Sequence, residues 1–227
     1  TAAGACAPEG RALYAAHADL PWPEAPHLAL FHALGVRVIQ LTYHERNLLG
    51  NGCFERNDEG LSNFGVNAVR TMNEVGILID LSHVGIATTM ETIEVSDKPV
   101  AITHANAKSY YDHRRNKTDD AIKLMAEKGG VIGSTCIRTF LRNFTTATLD
   151  DYLDAIDHLI DMVGVDHVAI GTDHTQDQPD EFWRYIGSQQ GTKFPSTFTM
   201  ADEKPKPWQD HYPDEFTTPD QFSVMSQ

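Results

Sequence analysis

The chain has 227 residues, of which 41% are hydrophobic, so it can bury the core of one or two domains and lacks the composition of a disordered protein. Its formal net charge of −14 argues against nucleic acids and anionic membrane surfaces as partners, because both attract basic patches. The three cysteines are widely spaced and form no Cys-x-x-Cys pair, which argues against a disulfide scaffold and a thiolate zinc site.

No stretch reaches the roughly 18 consecutive apolar residues of a transmembrane helix, and no signal peptide is visible. Cytoplasmic, periplasmic and secreted locations all stay open, and so does the oligomeric state, with a homodimer as one alternative. The chain begins at Thr1 rather than at a methionine, from which we expect that residues were removed or are missing upstream.

Short apolar runs alternate with helical segments along most of the chain. The predicted elements are, in chain order, a weak strand at Ala12–Ala16, a helix at Leu28–Leu34, the strand Val36–Thr42, a polar loop over 44–60, a helix from the Ser62 cap to Val75, the strand 77–82, a helix over about 87–95, the strand 100–103, a loop over 105–117, the helix Asp119–Lys128, the strand Val131–Thr135, the helix Leu149–Val163 and the strand Val168–Gly171. Single helices between successive strands predict a parallel sheet with right-handed crossovers, as in a (β/α) barrel or a doubly wound sheet.

The pattern changes in the C-terminal part of the chain. Asp180–Tyr185 is compatible with one helix, whereas residues 187–220 are rich in Pro, Thr, Lys and Asp and predict an irregular surface segment. We therefore expect one barrel-type domain over residues 1–227, with a clear βα pattern over 28–175 and an irregular tail over 176–227.

Several predicted strands end on residues that bind metal ions. His83 and His104 each follow a strand directly, and because the two strands are consecutive we expect the imidazoles to be neighbours on one rim of the sheet. A hydrolytic zinc site needs about three protein ligands and an open position for water. His17 and Asp19 are a second candidate pair, since residues two apart in a strand point to the same face, although this pattern alone fits a solvated turn equally well.

Other strand ends and loops carry candidate catalytic or binding groups. Asp173 ends the last predicted strand, where a carboxylate can relay a proton between the attacking water and the leaving amine, or else cap a turn. Tyr43 and His44 share a strand end, and either could donate to a developing oxyanion or form a surface pair. A guanidinium of the Arg114–Arg115 pair could bind a carboxylate in a bidentate manner. Asp80 lies inside its strand, which favours a structural role.

Seven motifs that contain these residues occur in order along the chain. They are His17-Ala-Asp-Leu-Pro-Trp22, Leu41-Thr-Tyr-His-Glu-Arg-Asn47, Gly60-Leu-Ser-Asn-Phe-Gly65, Asp80-Leu-Ser-His83, Thr103-His104, Arg114-Arg-Asn116 and Gly171-Thr-Asp173. Together they cover most of residues 12–175 and resemble the membrane (renal-type) dipeptidases, particularly the bacterial members. The resemblance implies a (β/α)8 barrel of the TIM-barrel type with a two-zinc site that hydrolyses dipeptides.

The resemblance also implies a role for each candidate residue. The implied ligands of the first zinc are His17 and Asp19, and those of the second zinc are His83 and His104. Asp173 is similar to the aspartate beside the metals, which would relay the proton. Arg115 is similar to the arginine that holds the substrate carboxylate. The position of the oxyanion-binding residue falls at Tyr43–His44 and leaves both as candidates.

The sequence departs from the family pattern near its beginning. Members carry two further strands after the His-x-Asp motif, and one of them ends in a glutamate that bridges both zinc ions. Here only Pro23-Glu-Ala-Pro26 separates Trp22 from His27, so no bridging glutamate can be placed and only six of the eight barrel strands are found. Either segments are absent from the sequence, or a partner chain supplies the missing strands, or the protein is a reduced relative.

The leading hypothesis is therefore a zinc-dependent dipeptidase, present wholly or in part as a partial or open barrel. A non-catalytic barrel remnant that binds a ligand or partner without turnover is the main alternative. The missing glutamate favours that remnant, whereas the retained set of candidate ligands argues against it. A third alternative, a metal-dependent barrel hydrolase that acts on cyclic amides, would normally show a bridging lysine, which the sequence does not place.

Overall fold

A computed structural model describes residues 5–6, 12–17, 25–174, 179, 181, 185 and 211–226 of the chain, with side chains described from His27 onward except those of Val224 and Ser226. The strands are β1 (Ala5–Cys6), β2 (Ala12–His17), β3 (Val36–Gln40), β4 (Leu78–Asp80), β5 (Ala101–Ile102), β6 (Val131–Ser134) and β7 (Val168–Ile170). The α-helices are α1 (Ala25–Ala33), α2 (Asn63–Val75), α3 (Ile86–Val95), α4 (Asp119–Glu127) and α5 (Leu149–Val163). Short 3₁₀ helices lie at Arg138–Phe140, Phe144–Thr146, Val165–His167 and Pro219–Ser226.

Strands β2 to β7 form one parallel sheet whose order follows the chain, and β1 pairs antiparallel with β2 at its edge. His17 pairs with Gln40, and Gln40 pairs with Asp80, so the carboxyl ends of β2, β3 and β4 lie level. Within the described residues β2 and β7 do not pair with each other, so the sheet stays open. The predicted alternation of parallel strands and helices is confirmed.

Local signals in the sequence set the helix boundaries. Ser62 caps α2 by accepting a hydrogen bond from the Gly65 N–H at 2.9 Å, and Gly76 ends the helix in the left-handed conformation with φ 82°. Thr148 and Asp151 form a capping box at the start of α5. None of the helices in the described parts of the chain has both the length and the apolar character needed to cross a bilayer.

The strands are shorter than the sequence predicts because side chains take over their last hydrogen bonds. The Thr103 N–H donates to the Asp80 carboxylate at 3.0 Å, and the Ser82 carbonyl accepts from the Arg115 guanidinium. The predicted strands 77–82 and 100–103 therefore end at Asp80 and Ile102. The rim residues that follow are held by specific polar contacts rather than by the sheet ladder.

The core is continuous across the sheet and extends into the C-terminal part of the chain. Tyr212 and Phe216 are fully buried, and the Phe216 ring stacks on Tyr152 of α5 at 6.2 Å. The prediction that residues 187–220 form an irregular surface segment is therefore wrong as to the surface position of Tyr212 and Phe216. The Pro, Thr and Asp content of the segment predicted exposure, although the segment also contains Tyr212 and Phe216. The burial of these two aromatic side chains supplies the apolar contact that holds the segment.

A loop residue supplies the missing cap of α3. The N-cap position of this helix is Gly85, which has no side chain, and the Asp58 carboxylate instead accepts the Ala87 N–H at 2.6 Å and the Thr88 hydroxyl at 2.8 Å. A carboxylate at a helix N-terminus also interacts favourably with the helix dipole. Asp58 thus fastens the 44–60 loop to the helix that follows β4.

We expect Asp58→Ala to lower the free energy of unfolding by about 1–2 kcal/mol, because α3 loses its N-terminal acceptor. Urea unfolding followed by circular dichroism measures this. Asp157→Ala, which removes an exposed carboxylate from the middle of α5, serves as the control and should change stability by less than about 0.5 kcal/mol. Equal losses in the two variants would contradict the capping role.

Candidate functional site

The structure brings two candidate ligands together at the carboxyl ends of neighbouring strands. His83 lies three residues after β4 and His104 two residues after β5. Their Nε2 atoms are 2.9 Å apart, and the ring planes are inclined by 63°. His83 is buried and His104 is partly buried, so both rings are held at the rim of the sheet.

This geometry fits a shared metal ion. Two nitrogens that bind one zinc ion at about 2.0–2.1 Å lie at most about 4 Å apart, and the observed separation is within that limit. No group of three or more His, Cys, Asp or Glu side chains with metal-binding geometry occurs among the side chains that the structure describes. The His17 side chain and all of Asp19 lie outside those residues, so their predicted role as ligands stays a prediction.

Tyr43 and His44 both lie against His83. The Tyr43 ring stacks on the His83 ring at 4.2 Å with an angle of 20°, and the His44 ring is 4.7 Å from it. Burial raises the pKa of the Tyr43 phenol, and the negative charge of Asp173 raises it further. Tyr43 therefore keeps its proton at neutral pH and can act as a hydrogen-bond donor. His44 is fully buried and its ring meets the edge of Phe54 at 4.6 Å.

Asp173 follows β7 in the left-handed backbone conformation, with φ 60°. Aspartate tolerates this region better than most residues, and the Tyr212 hydroxyl holds the Asp173 carbonyl at 2.7 Å. Burial lowers the pKa of His104, and the negative charges of Asp173 and Asp80 oppose that shift. Asp173 is thus close enough to act electrostatically on both His104 and Tyr43.

Arg115 bonds to the backbone of the two segments that carry the histidines. Its Nη1 donates to the Ser82 carbonyl and its Nη2 to the His104 carbonyl at 3.0 Å, while the guanidinium lies 5.2 Å from the centre of the Phe140 ring. The side chain is fully buried, and its Nε has no hydrogen-bond partner among the described residues. Two of the five N–H donors of a guanidinium are therefore used by these carbonyls.

Asp80 connects the two strand ends that carry the histidines. Its carboxylate accepts from the backbone N–H groups of Ser82 and Thr103, both at 3.0 Å, and from the two hydroxyls of the same residues at 2.6 and 2.9 Å. The Thr103 Oγ1 also lies 2.8 Å from Nδ1 of His104. These contacts fit the structural role expected for Asp80 and extend it to the histidine.

Three consecutive carbonyls around His83 are held from outside the sheet. The Ser82 carbonyl accepts from Arg115, the His83 carbonyl from the Cys53 N–H at 2.8 Å, and the Val84 carbonyl from Nζ of Lys117. Lys117 is fully buried, and burial lowers its pKa to about 7. The turn that presents His83 is therefore fixed by groups from two separate loops.

Two glycines let the neighbouring strand ends approach Thr103. A Cβ atom on Gly133 or on Gly171 would lie closer to the Thr103 carbonyl oxygen than van der Waals contact permits. The Ala105 N–H donates to the Gly133 carbonyl at 2.9 Å, which closes this arrangement. Close packing against Thr103 thus explains why the first position of the Gly171-Thr-Asp173 motif is a glycine.

Four residues that bond around the histidines were not among the candidates predicted from the sequence: Thr103, Ser82, Lys117 and Cys53. The first two lie inside quoted motifs, and their position beside the histidines was a signal that could have identified them. Lys117 gave no such signal, because lysine is seldom buried and its partners are more than 20 residues away in sequence.

A family model described as membrane dipeptidase (peptidase family M19) matches residues 24–183, which is more than half of the chain. A second model, described as a helix-turn-helix family, matches residues 1–37. The described residues of that range form β1, β2, α1 and the start of β3, so they contain one helix between strands rather than a pair of helices.

Two similar proteins are dipeptidase verJ of Clonostachys rogersoniana, 35% identical over 147 residues, and the uncharacterized dipeptidase C965.12 of Schizosaccharomyces pombe, 34% identical over 152 residues. The matches cover 63% and 64% of this chain but 37% and 36% of the relatives. The chain therefore spans little more than a third of the length of these curated relatives.

Solved structures share the fold. An amidohydrolase from Pseudomonas aeruginosa superposes with a TM-score of 0.83 at 35% identity, covering 94% of this chain and 63% of that one. The metallo peptidase dipeptidase AC gives a TM-score of 0.65 at 30% identity, covering 69% of this chain and 49% of that one. A Rhodobacter sphaeroides metallo peptidase, with 24% identity and a TM-score of 0.68 over 88% of this chain and 50% of that one, supports the fold alone. The predicted α/β fold of the TIM-barrel type, here as an open sheet, is confirmed.

A histidine beside the site gives the stability of the protein a pH dependence. Nδ1 of His113 accepts the backbone N–H of Arg115 at 3.1 Å. Burial, reinforced by the positive charge of Arg115, lowers the pKa of His113 to about 4. The unfolded chain, with an ordinary histidine pKa of about 6.5, binds this proton first as the pH falls. His113 therefore stabilises the fold above about pH 6.5, and that contribution is lost as the pH falls towards 4.

We expect His113→Asn, which keeps an acceptor but does not titrate, to remove this contribution. Urea unfolding at pH 7 and pH 5 should show that the wild type loses more stability than the variant between these two values. The pH dependence is limited to one proton per molecule. An equal loss in both proteins would contradict the assignment.

Proposed function

The chain belongs to the membrane dipeptidase family, and on this premise we propose that it forms the metal-binding part of a zinc-dependent dipeptidase. The observation that carries the proposal is the 2.9 Å approach of the His83 and His104 Nε2 atoms at the carboxyl ends of adjacent parallel strands. In this class of fold, active sites lie at that end of the sheet. His17 and Asp19 are proposed as further ligands, because the register of β2 brings the end of that strand level with β4.

The donor set suits zinc, which binds imidazole nitrogen and carboxylate oxygen. The chemistry that zinc would supply when bound there is activation of water as a nucleophile and polarisation of the substrate carbonyl. The protein side chains perform the other steps. We propose that Asp173 takes the proton from the attacking water and returns it to the leaving amine nitrogen.

Tyr43 is the better placed of the two candidate oxyanion donors. Its phenol keeps its proton, since burial and the charge of Asp173 raise the pKa, and its ring is fixed on His83 by stacking. The fully buried His44 packs behind it against Phe54 and supports its position. A protonated donor aimed at the developing charge stabilises the transition state more than the substrate.

Arg115 is proposed to bind the C-terminal carboxylate of the substrate. Three of its five N–H donors remain after the two bonds to backbone carbonyls, and the Nε among them is buried without a partner in the described residues. A carboxylate is the group that would satisfy these donors in a fixed orientation. In a dipeptide this carboxylate belongs to the residue directly after the scissile bond, so an arginine close to the proposed metal ligands is compatible with dipeptides as substrates.

A barrel remnant that binds ligands without turnover remains the second candidate. Only four residues, Pro23-Glu-Ala-Pro26, separate Trp22 from His27, and this segment does not supply the bridging glutamate that the resemblance implies. The two candidates differ in whether the protein hydrolyses dipeptides, so zinc content and hydrolysis measured together separate them.

We expect the wild-type protein to bind zinc and to hydrolyse dipeptides, and His104→Ala to lose at least about 100-fold in kcat/KM because a metal ligand is removed. Zinc content by atomic emission and hydrolysis of unmodified dipeptides measure the two properties. His158→Ala removes a histidine on α5 that bonds to Ser109, away from the site, and serves as the control. One zinc ion or none, without turnover, would favour the remnant and contradict the zinc-dependent dipeptidase.

For Arg115, we expect Arg115→Lys to raise KM for a dipeptide while a dipeptide amide, which lacks the carboxylate, is little affected. The ratio of kcat/KM for the two substrates should fall by about 10-fold or more, the effect of one charge-assisted contact. Arg114→Lys is the matched control, since Arg114 is the exposed neighbour and lies over Phe54 at 5.3 Å. If the ratio of kcat/KM for the two substrates fell only in the Arg114 variant, Arg114 rather than Arg115 would bind the carboxylate.

A further inference from the structure

We propose that Asp80, acting through Thr103, fixes the tautomer of His104 so that the Nε2 lone pair faces the metal position. Asp80 and Thr103 are positioning residues in this proposal, which rests on the proposed metal site. The tautomer of His104 does not depend on a bound metal, because the hydroxyl protons of Ser82 and Thr103 determine it.

The hydroxyls of Ser82 and Thr103 both donate their protons to the Asp80 carboxylate. An ionised carboxylate only accepts hydrogen bonds, so the Ser82 hydroxyl donates to Oδ1 of Asp80 at 2.6 Å and the Thr103 hydroxyl donates to Oδ2 at 2.9 Å. Each hydroxyl has one proton. The 3.0 Å contact between the two hydroxyl oxygens therefore carries no hydrogen bond of its own while both donate to the carboxylate.

The hydroxyl oxygen of Thr103, having donated its only proton to Asp80, can act towards other groups only as an acceptor. It lies 2.8 Å from Nδ1 of His104, a hydrogen-bond distance, so Nδ1 must carry the proton. The competing arrangement, in which Thr103 donates to Nδ1, would leave Oδ2 of Asp80 without its hydroxyl donor. A hydrogen bond to a charged carboxylate is about twice as strong as one between neutral groups, which favours the first arrangement.

Asp80 cannot rotate away from this arrangement. Its Oδ1 also accepts the backbone N–H groups of Ser82 and Thr103, both at 3.0 Å. The side chain is only 4% exposed, so water does not replace these donors. The Ser82 oxygen in turn accepts the backbone N–H of His104 at 3.0 Å, which holds the main chain of the histidine as well.

The consequence appears on the opposite nitrogen of the ring. With the proton on Nδ1, the Nε2 of His104 is an acceptor, and it faces the Nε2 of His83 at 2.9 Å. In the metal-free protein the Nε2–H of His83 donates to Nε2 of His104, and a bound metal ion would replace this proton between the two nitrogens. A histidine whose second nitrogen bonds to a fixed partner is a better oriented ligand.

The test is the tautomer of His104 in the metal-free protein, read from two-bond ¹H–¹⁵N correlations of the imidazole nitrogens at pH 8. We expect the Nδ1–H form in the wild type and in Thr103→Ser, which keeps the hydroxyl. Thr103→Val has nearly the same shape but no acceptor, so the Nε2–H form should become populated. Thr92→Val, which removes another buried hydroxyl that bonds to the Thr88 carbonyl at 2.7 Å, is the matched control and should match the wild type.

Zinc affinity by competition with a chelator gives a second readout. We expect Thr103→Val to bind zinc about 10–100-fold more weakly, with Thr103→Ser and Thr92→Val within about 3-fold of the wild type. The Nε2–H form in the wild type, or an unchanged tautomer in Thr103→Val, would overturn the inference. Neither measurement uses a dipeptide, so a correct tautomer without hydrolysis would leave this inference standing and refute the proposed activity. If Thr103→Val does not fold, the wild-type and Thr103→Ser tautomers still decide it.

Discussion

The buried carboxylate of Asp80 ties β4 to β5 beyond the point where their ladder ends. Burying a charged group costs several kcal/mol unless its lone pairs are satisfied, and here the four donors come from only two residues, Ser82 and Thr103. Each of these residues directly precedes a histidine. The requirement to satisfy one carboxylate therefore sets the position of both imidazoles, and the geometry of the rim follows from a constraint inside the sheet.

Two buried basic side chains also bond to the turn that presents His83. Arg115 and Lys117 are among the largest fully buried side chains, and both donate to backbone carbonyls around His83. The loop that contains them is closed at its base, where Ala107 and Lys117 form an isolated parallel bridge. Arg115, and Lys117 when it is protonated, therefore place positive charge near the carboxylates of Asp80 and Asp173.

Much of the scaffold was predictable because its signals are local. Glycine stops, serine and threonine caps and apolar runs located the helices and strands to within a few residues, and consecutive strands predicted that His83 and His104 would be neighbours. The strand ends were overestimated because residues such as Thr103 exchange ladder bonds for side-chain bonds. The burial of Lys117 and Tyr212 was not predictable, since the partners of both residues lie far away in sequence and polarity gave the opposite expectation.

The contact between Tyr212 and Asp173 can form only late in synthesis, because its two residues are far apart in the chain. Tyr212 is made 39 residues after the aspartate whose carbonyl it holds, which at about 5–20 residues per second is a delay of roughly 2–8 s. The strands with the two histidines can pair during that interval, whereas the left-handed corner after β7 has to wait for its hydroxyl anchor. The residues that carry both histidines are therefore synthesised several seconds before the hydroxyl that anchors the backbone of Asp173.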